Sequence, residues 1–214
     1  MGKKKIKLQK NKIKNIIFDL GGVLIDWNPG YVYFKVFKGD SKKMKWFFDE
    51  ICTNEWNENQ DAGYSLQQAT EDRVKMFPEY EEWIRIYYSQ WEDMLGDAIQ
   101  ETVEILKKFI KHPEYKVIAL TNWSAETFPV ALERFNFLHL FEGIIVSGKE
   151  KTRKPFHKIY KLALDRYDMN PSETLFIDDN LRNVKAAAEI GINVVHFKSA
   201  SQLSGHLDKI GIEI

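Results

Sequence analysis

The sequence predicts an α/β fold in which a doubly wound, Rossmann-like parallel sheet of five strands carries an inserted helical cap. Five short runs rich in Ile, Val and Leu are apolar on both faces, as expected of strands covered by helices on both sides. Amphipathic helical patterns separate the last four runs, which favours right-handed βαβ units. Between residues 28 and 98 the pattern is helical instead, and this segment holds 15 of the chain's 29 aromatic residues. So many large rings are enough for a small helical core.

The predicted elements divide the chain into a core and an insertion. Strands are expected at 15–20, 116–121, 143–147, 174–178 and 193–197. Helices of the core are expected at 100–111, 124–135, 155–167 and 181–190, and helices of the insertion at 41–51, 65–76 and 79–94, with no strand in the insertion. We therefore predict a Rossmann-like core of residues 15–27 and 99–214, a helical cap of residues 28–98, and a basic, flexible tail of residues 1–14.

Composition argues against several classes of protein. The 31 basic and 31 acidic residues cancel, which argues against a dedicated nucleic-acid-binding or membrane-surface protein. Seven lysines nevertheless fall within residues 1–14 without any acid; a solvated terminus and a contact for an anionic partner both fit such a tail. Cys52 is the only cysteine, so that no intrachain disulfide can form, and no apolar stretch approaches the roughly 20 residues that span a bilayer. These features predict a cytoplasmic protein without membrane or nucleic-acid partners.

Polar residues stand where the predicted strands end. In an open parallel sheet, ligands bind beside the carboxyl ends of the strands, near the point where strand order reverses. Four strands lead there into residues that suit chemistry: Asp19, Thr121 with Asn122, Lys154 in the loop after the third strand, and Asp178 with Asp179. We therefore expect these side chains to meet at one edge of the sheet.

This set of side chains suits a phosphate group and a magnesium ion. Crowded carboxylates repel one another, and Mg²⁺ relieves that repulsion while accepting oxygen ligands. A lysine and a hydroxyl would hold phosphate oxygens, and helix N-termini would direct backbone N–H groups at the same anion. Each residue alone is a weak signal, because Asp19 is equally typical of a helix cap and Lys154 of a surface lysine. Their combination at successive strand ends predicts a phosphate site.

Four motifs carry a resemblance to a known family. FDLGGVL, ALTNWS, RKP and LFIDDN occur in this order and resemble the four motifs of haloacid dehalogenase-type hydrolases. The likeness covers nearly the whole chain, because the helical insertion stands where that superfamily has a cap. The resemblance implies that Asp19 is a nucleophile that carries the phosphoryl group. It also implies that Mg²⁺ is bound by Asp19, the backbone carbonyl of Gly21 and Asp179, with Asp178 binding directly or through water.

The resemblance further implies how the phosphate is held and what is hydrolysed. Thr121 and Asn122 would bind the phosphoryl oxygens, and Lys154 would neutralise both the phosphate and the aspartyl-phosphate. The chain would then be a Mg²⁺-dependent phosphatase for a small phosphorylated metabolite, with sugar phosphates among the candidates. Two alternatives stay open: a catalytically weak or silent protein that binds a phosphorylated ligand, and a haloacid dehalogenase.

One position departs from the family pattern. Phosphatases of this family usually have a second Asp two residues after the nucleophile, which serves as general acid and base, and here that residue is Gly21. Among the subgroups with a DLG-type first motif, the chain resembles bacterial α-glucose-1-phosphate phosphatases. His157 is a candidate replacement base, although a place on the helix surface fits it better, and Asp26 is a candidate surrogate acid, for which a linker or hinge role fits at least as well. Dehalogenases of the superfamily also lack that Asp, but they do not keep a carboxylate pair such as Asp178–Asp179, which favours a phosphatase.

Substrate choice is expected to depend on the cap. The run 52–63 is rich in polar residues and includes Trp56 and Asp61, which we predict to face the pocket across the seam between cap and core. An ordinary polar loop between cap helices is the alternative. Trp27 and Trp123 flank the first two motifs and would either line the pocket or pack under the cap. The sequence names neither the substrate nor the oligomeric state.

Overall fold

Seven strands and eleven α-helices make up the part of the chain that this computed structural model describes, residues 12–212 and 214. The strands are β1 (Asn15–Phe18), β2 (Ile25–Trp27), β3 (Leu95–Ala98), β4 (Lys116–Thr121), β5 (Gly143–Val146), β6 (Thr174–Asp178) and β7 (Asn193–His196). The helices are α1 (Gly30–Val36), α2 (Ser41–Trp46), α3 (Asn54–Asp61), α4 (Leu66–Met76), α5 (Glu81–Ser89), α6 (Gln100–Lys111), α7 (Phe128–Arg134), α8 (Ser147–Glu150), α9 (His157–Arg166), α10 (Leu181–Glu189) and α11 (Ala200–Ile210).

The central sheet has five parallel strands in the order β5-β4-β1-β6-β7. The chain starts in the middle at β1, builds outward through β4 and β5, and then returns to the other side of β1 through β6 and β7. This reversal beside β1 is the point at which a doubly wound sheet binds ligands. The predicted five-stranded parallel sheet is confirmed.

Alternate residues of β1 face two different hydrophobic layers. Ile16 and Phe18 pack on one side with α6, α7 and α11, where Phe18 meets the ring of Phe109 edge to face at 6.1 Å. Ile17 packs on the other side with α9 and α10. All three β1 residues are completely buried. A strand covered on both faces must be apolar throughout, which explains why the strands appear as unbroken apolar runs in the sequence.

Helices α1 to α5 enclose a separate hydrophobic cluster built largely from aromatic residues. Tyr33 lies at its centre without solvent exposure, 4.9 Å from the ring of Phe47 and 6.2 Å from that of Tyr87. The Tyr33 hydroxyl donates a hydrogen bond of 2.7 Å to the backbone oxygen of Trp83, so its polar atom is satisfied inside the cluster. We call residues 28–94, which contain these helices, the cap.

A two-stranded antiparallel sheet, which the sequence pattern did not predict, joins the core to the cap. Strand β2 pairs with β3, which lies inside the segment where no strand was expected. The sequence of β3, LGDA, has few residues that favour strands, so pairing with β2 rather than local preference makes it extended. A side chain at Gly96 would approach the carboxylate of Asp26 to 2.4 Å, which explains the glycine in this strand.

The start of the described chain is tied to the core by two surface ion pairs. Lys12 lies 2.7 Å from Glu114, and Lys14 lies 2.7 Å from Glu173. The rest of the predicted basic tail, residues 1–11, lies outside the described residues. Within the described part, none of the helices combines the length and the apolar character that crossing a bilayer requires.

Candidate active site

The loop after β1 brings the backbone unusually close to the end of β6. Asp19 follows β1 and Asp179 follows β6, and β1 and β6 are neighbours in the sheet. Gly22 lies between them with φ +72°, and a Cβ at this position would meet an Asp179 oxygen at 2.5 Å. Only glycine tolerates both the left-handed backbone and this contact. Gly22 therefore allows the loop after Asp19 to approach the Asp179 carboxylate.

Lys154 is the central residue of the site and is completely buried. Its ammonium group lies 2.8 Å from Asp19 Oδ1 and donates hydrogen bonds to Asp178 Oδ2 at 2.7 Å and to the backbone oxygen of Leu120 at 2.9 Å. All three N–H groups of the ammonium are therefore engaged. Burial lowers the pKa of Lys154, but the carboxylates of Asp178 and Asp19 outweigh burial, so that the pKa is raised and the lysine stays charged.

Asn122 fixes the loop that carries Lys154. Its side-chain amide donates to the backbone oxygen of Lys154 at 2.9 Å, and its side-chain oxygen accepts from the backbone N–H of Lys154 at 2.8 Å. The predicted phosphate-binding amide is thus used in a reciprocal pair with Lys154, with one N–H and one lone pair left for a ligand. Thr121, the last residue of β4, is buried beside it.

Asp178 is fully buried and almost saturated with hydrogen bonds. Besides Lys154, it accepts from the backbone N–H of Asn180 at 2.8 Å and from the Asn183 amide at 3.1 Å to each oxygen. These contacts orient Asp178 toward Lys154, so the carboxylate holds the lysine in place. Asn183 was not predicted from the sequence; its signal is its position in the first turn of the helix that follows the acidic pair.

The three carboxylates form a group that could hold a cation. Oxygens of Asp19, Asp178 and Asp179 lie within 4.8 Å of one another. Burial raises the pKa of Asp19; Lys154 opposes this shift and Asp178 adds to it. Burial and the charge of Asp178 likewise raise the pKa of Asp179. One ammonium cannot balance three carboxylates, and an oxygen-rich, electronegative donor set of this kind suits a hard divalent cation.

A cavity of about 90 Å³ lies between the cap and the strand ends. From the core it is lined by Gly21, Asn122 and the ring of Trp123, and from the cap by Asp61. Trp27, at the end of β2, also lines it. Both tryptophans that flank the first two motifs therefore contribute to the wall of the cavity. A Cβ placed on Gly21 would meet nothing within 4 Å, so the space beside the predicted nucleophile is open.

The predicted place of Trp56 in this wall is wrong. The run 52–63 was expected to face the pocket, and it contains a helix that was not predicted, α3, whose first turn is capped by the Thr53 hydroxyl. Trp56 points into the cap, where its ring lies 5.1 Å from that of Tyr87 and its indole N–H donates to Ala69 at 3.4 Å. Asp61 faces the cavity as expected.

Neither of the two replacement residues considered from the sequence lines the cavity. Asp26 lies in β2 next to Trp27, and successive residues of a strand point to opposite sides. Its carboxylate accepts a hydrogen bond from the Tyr31 hydroxyl instead. His157 is exposed at the start of α9 and lies 2.9 Å from Glu189.

Asp61 is a partly buried carboxyl in an unusual electrostatic setting. It ends α3 and has the amide of Asn57 at 3.5 Å. Burial raises its pKa to about 7, and the nearby Glu58 adds to this shift. Arg153, Lys154 and the Ser124 N–H oppose it.

Glu58 joins the cap to two segments of the core. It lies 2.8 Å from Arg153, the residue before Lys154, and also pairs with Arg182 at the start of α10. The backbone N–H of Leu66 adds a further link by donating to Glu126 at 2.9 Å. Glu58 was not predicted from the sequence, because no local pattern marks an acid whose partners are distant in the chain.

The chain matches a known protein family over most of its length. Residues 16–197 match the model of the haloacid dehalogenase-like hydrolase family. The chain belongs to this family. The match extends from β1 to the residue after β7, so it includes all five strands of the parallel sheet and the cap between them. The predicted family membership and hydrolase class are confirmed.

Several relatives within this family are phosphatases. A sesquiterpene phosphatase of Aspergillus oryzae is 27% identical over 183 residues, which cover 86% of this chain and 89% of that protein. A phosphorylated-carbohydrate phosphatase of Thermotoga maritima is 24% identical over 187 residues, 85% of this chain and 83% of that protein. Haloacid dehalogenases are also among the matches.

A solved structure shares the fold. The magnesium complex of a haloacid dehalogenase family enzyme from Bacteroides thetaiotaomicron superposes with a TM-score of 0.70 at 23% identity, covering 93% of this chain and all of that one. Structural homologues of this chain thus bind magnesium, and its own acidic group could hold a metal ion.

Replacing Lys154 by Met should destabilise the fold strongly. The change leaves Asp19 and Asp178 without their shared cation, and breaking a buried ion pair in this way costs about 3–5 kcal/mol. Chemical denaturation at pH 8, which favours ionised carboxylates, is the measurement. Lys158→Met serves as the control, because Lys158 is an exposed residue of the next helix. Equal free energies of unfolding for the two variants would contradict the central role of Lys154.

Replacing Asp61 by Asn should stabilise the protein above neutral pH. Its carboxyl has a pKa of about 7 when folded and an ordinary value of 3.8, so the folded state holds the extra proton between these values. In that window wild-type stability falls as pH rises, by up to about 1.4 kcal/mol for each pH unit, whereas an amide does not titrate.

The measurement is the difference in melting temperature between Asp61→Asn and wild type, taken at pH 5 and at pH 8. The difference should grow in favour of the variant at pH 8. Asp72→Asn is the matched control, because Asp72 is a cap carboxylate whose pKa is lowered by hydrogen bonds from Tyr64 and Gln68. A difference for Asp61→Asn that is the same at both pH values would contradict the raised pKa.

Proposed function

We propose that this protein is a Mg²⁺-dependent phosphatase that hydrolyses a small phosphorylated metabolite through an aspartyl-phosphate on Asp19. The observation that carries the proposal is the position of Lys154 among three carboxylates at the ends of β1 and β6. A lysine that neutralises charge beside a carboxylate nucleophile, together with spare carboxylates for a cation, is what phosphoryl transfer requires. The phosphatase relatives from Aspergillus oryzae and Thermotoga maritima support it.

The residues present fit a magnesium ion. Asp19, Asp179 and the backbone carbonyl of Gly21 would hold it, and Asp178, saturated by Lys154 and Asn183, would act through water or by orienting its neighbours. When bound, the cation would supply positive charge to the phosphoryl oxygens and relieve the repulsion among the carboxylates.

The chain's own residues would carry out the covalent step. A carboxylate oxygen of Asp19 attacks phosphorus while the bond to the leaving oxygen breaks, giving an acyl phosphate. Lys154 and the backbone N–H of Leu20 both contact Asp19 Oδ1, the latter at 2.7 Å, and hold the carboxylate in one orientation. Water then attacks the phosphorus and releases inorganic phosphate, which returns Asp19 to its starting form. Thr121 and the free groups of Asn122 would bind the phosphoryl oxygens throughout.

The cavity favours a small substrate with hydroxyl groups. The cavity, of about 90 Å³, is bounded by both the cap and the core, which suits a small molecule. The wall combines indole rings with the polar side chains of Asn57 and Asp61. Flat rings beside an amide and a carboxyl suit the apolar faces and hydroxyls of a sugar, so we place a sugar phosphate first. The resemblance to α-glucose-1-phosphate phosphatases stays a prediction.

Gly21 is the one residue that favours the alternatives, a silent phosphate-binding protein or a dehalogenase. Both functions would tolerate a missing acid. Neither accounts for the close approach of the Asp179 carboxylate to Gly22, which requires a left-handed backbone at that glycine. Measuring release of inorganic phosphate and of halide, each with and without Mg²⁺, separates the three functions. Phosphate release in the presence of Mg²⁺ alone is the expected result.

Removing the metal should abolish phosphate release reversibly, and replacing the nucleophile should abolish binding of a phosphoryl mimic. Excess EDTA should abolish phosphate release, and Mg²⁺ should restore it, because the carboxylates would otherwise be uncompensated. Asp19→Asn should stay folded and fail to bind beryllium fluoride, which mimics a phosphoryl group on the nucleophile. Asp26→Asn is the control, because Asp26 precedes the cap and lines no part of the cavity. Full turnover in EDTA would refute the metal assignment, and labelling of Asp19→Asn would refute the nucleophile.

A further inference from the structure

The proposed reaction lacks a proton donor where the family pattern would place one. An alkoxide that leaves phosphorus needs a proton unless it is already a weak base, and a positioned acid contributes on the order of 10²–10⁴-fold in rate. Gly21 has no side chain to supply it. The space into which a side chain at residue 21 would extend is open, with nothing within 4 Å of an added Cβ.

The cap contributes a carboxyl to the same space. Among the described residues that line the cavity beside Gly21, Asp61 is the only one with a carboxyl or imidazole group. In an in-line displacement the leaving oxygen departs on the side opposite the nucleophile. Asp19 lies at the strand ends and the cap lies across the cavity from them, so the leaving oxygen departs toward the cap.

We propose that Asp61 is the general acid and general base of this enzyme, supplied by the cap in place of a side chain at residue 21. This proposal rests on the proposed phosphatase function. As Asp19 attacks and the ester P–O bond breaks, the protonated Asp61 gives its proton to the leaving oxygen, which departs as an alcohol. The resulting Asp61 carboxylate then takes a proton from the water that attacks the aspartyl-phosphate. Inorganic phosphate leaves, and Asp61 is protonated again.

The surroundings of Asp61 suit both halves of this cycle. Burial and Glu58 raise the pKa of Asp61, whereas Arg153, Lys154 and the Ser124 N–H lower it. At the resulting pKa of about 7, both protonation states are populated near neutral pH. Tyr88, which also lines the cavity, is the remaining titratable group facing it, from α5. Its own pKa is raised by burial, so it stays neutral.

The position of Asp61 is fixed by the contact between cap and core. Glu58 lies one turn earlier on α3 and is held by Arg153 and Arg182, which fastens the end of α3 that carries Asp61 to the core. The acid would therefore be in place only when the cap is closed over the site. Such an arrangement would limit hydrolysis to substrates that are already enclosed.

The test compares wild type with Asp61→Asn on phosphate esters whose leaving groups have graded acidity, at saturating Mg²⁺. The amide keeps the shape of the side chain but cannot transfer a proton. We expect kcat/KM for alkyl phosphates to fall by on the order of 10²–10⁴-fold and that for 4-nitrophenyl phosphate to change little. In Asp61→Asn, kcat/KM should therefore depend steeply on the acidity of the leaving group.

Two further measurements separate proton transfer from substrate binding. Asp61→Asn should release 4-nitrophenol in a burst of one equivalent per enzyme, because the aspartyl-phosphate forms but has lost its base. The limb near pH 7 in the wild-type profile of kcat/KM for an alkyl phosphate should disappear in the variant. A role in specificity alone would change KM without a burst, and this outcome would overturn the proposal.

A rescue and a control complete the design. Gly21→Asp added to Asp61→Asn should restore activity toward alkyl phosphates, because the new side chain enters open space beside Asp19. Asp72→Asn, the same chemical change elsewhere in the cap, should behave as wild type. If wild type is active and Asp61→Asn does not change how kcat/KM depends on the leaving group, the proposed role of Asp61 is refuted. The proposed phosphatase function would still stand. A wild type that releases no phosphate from any ester would refute the proposed function itself.

Discussion

The site depends on one buried interaction, the ammonium of Lys154 held between Asp19 and Asp178. An unpaired charge in this position would be very costly, so each partner is stable only because the others are present. Asn122 fixes the loop of the lysine, and Asn183 fixes Asp178. Residues from three strand ends and from the loop after α8 are therefore held together before any ligand binds. Such preorganisation is how a protein site supplies electrostatic stabilisation at little further cost.

Much of the core could be predicted from the sequence because burial on both faces leaves a strong signal. A strand such as 174–178 must be apolar throughout, and the polar residues that interrupt this rule at the strand ends are then conspicuous. The topology of a doubly wound sheet brings such ends together, so the convergence of Asp19, Lys154 and Asp178 followed from chain order alone. The role of Asn183 did not, since its position in the first turn of α10 is its one signal and many helices carry an amide there.

The cap was less predictable because tertiary contacts decide its details. Strand β3 is extended through pairing with β2, against its own composition. Trp56 was misplaced because the start of α3 was not recognised; with Thr53 as the cap residue, helical spacing puts Asn57 and Asp61 on one face and Trp56 on another. The proposed specificity and proton transfer both depend on this cap–core seam, and the sequence carries least information there.

Because Glu58 pairs with two arginines across the seam, the rates of substrate entry and product release should depend on salt concentration. Arg153 belongs to the third motif and Arg182 follows the fourth, so the cap is fastened directly to the segments that hold Lys154 and Asp179. Opening the cap must separate one carboxylate from two guanidinium groups. Dissolved ions screen this attraction in the opened state and so reduce the cost of opening. Entry of substrate and departure of product should accordingly quicken in concentrated salt, whereas the chemistry in the closed, buried site is shielded from it.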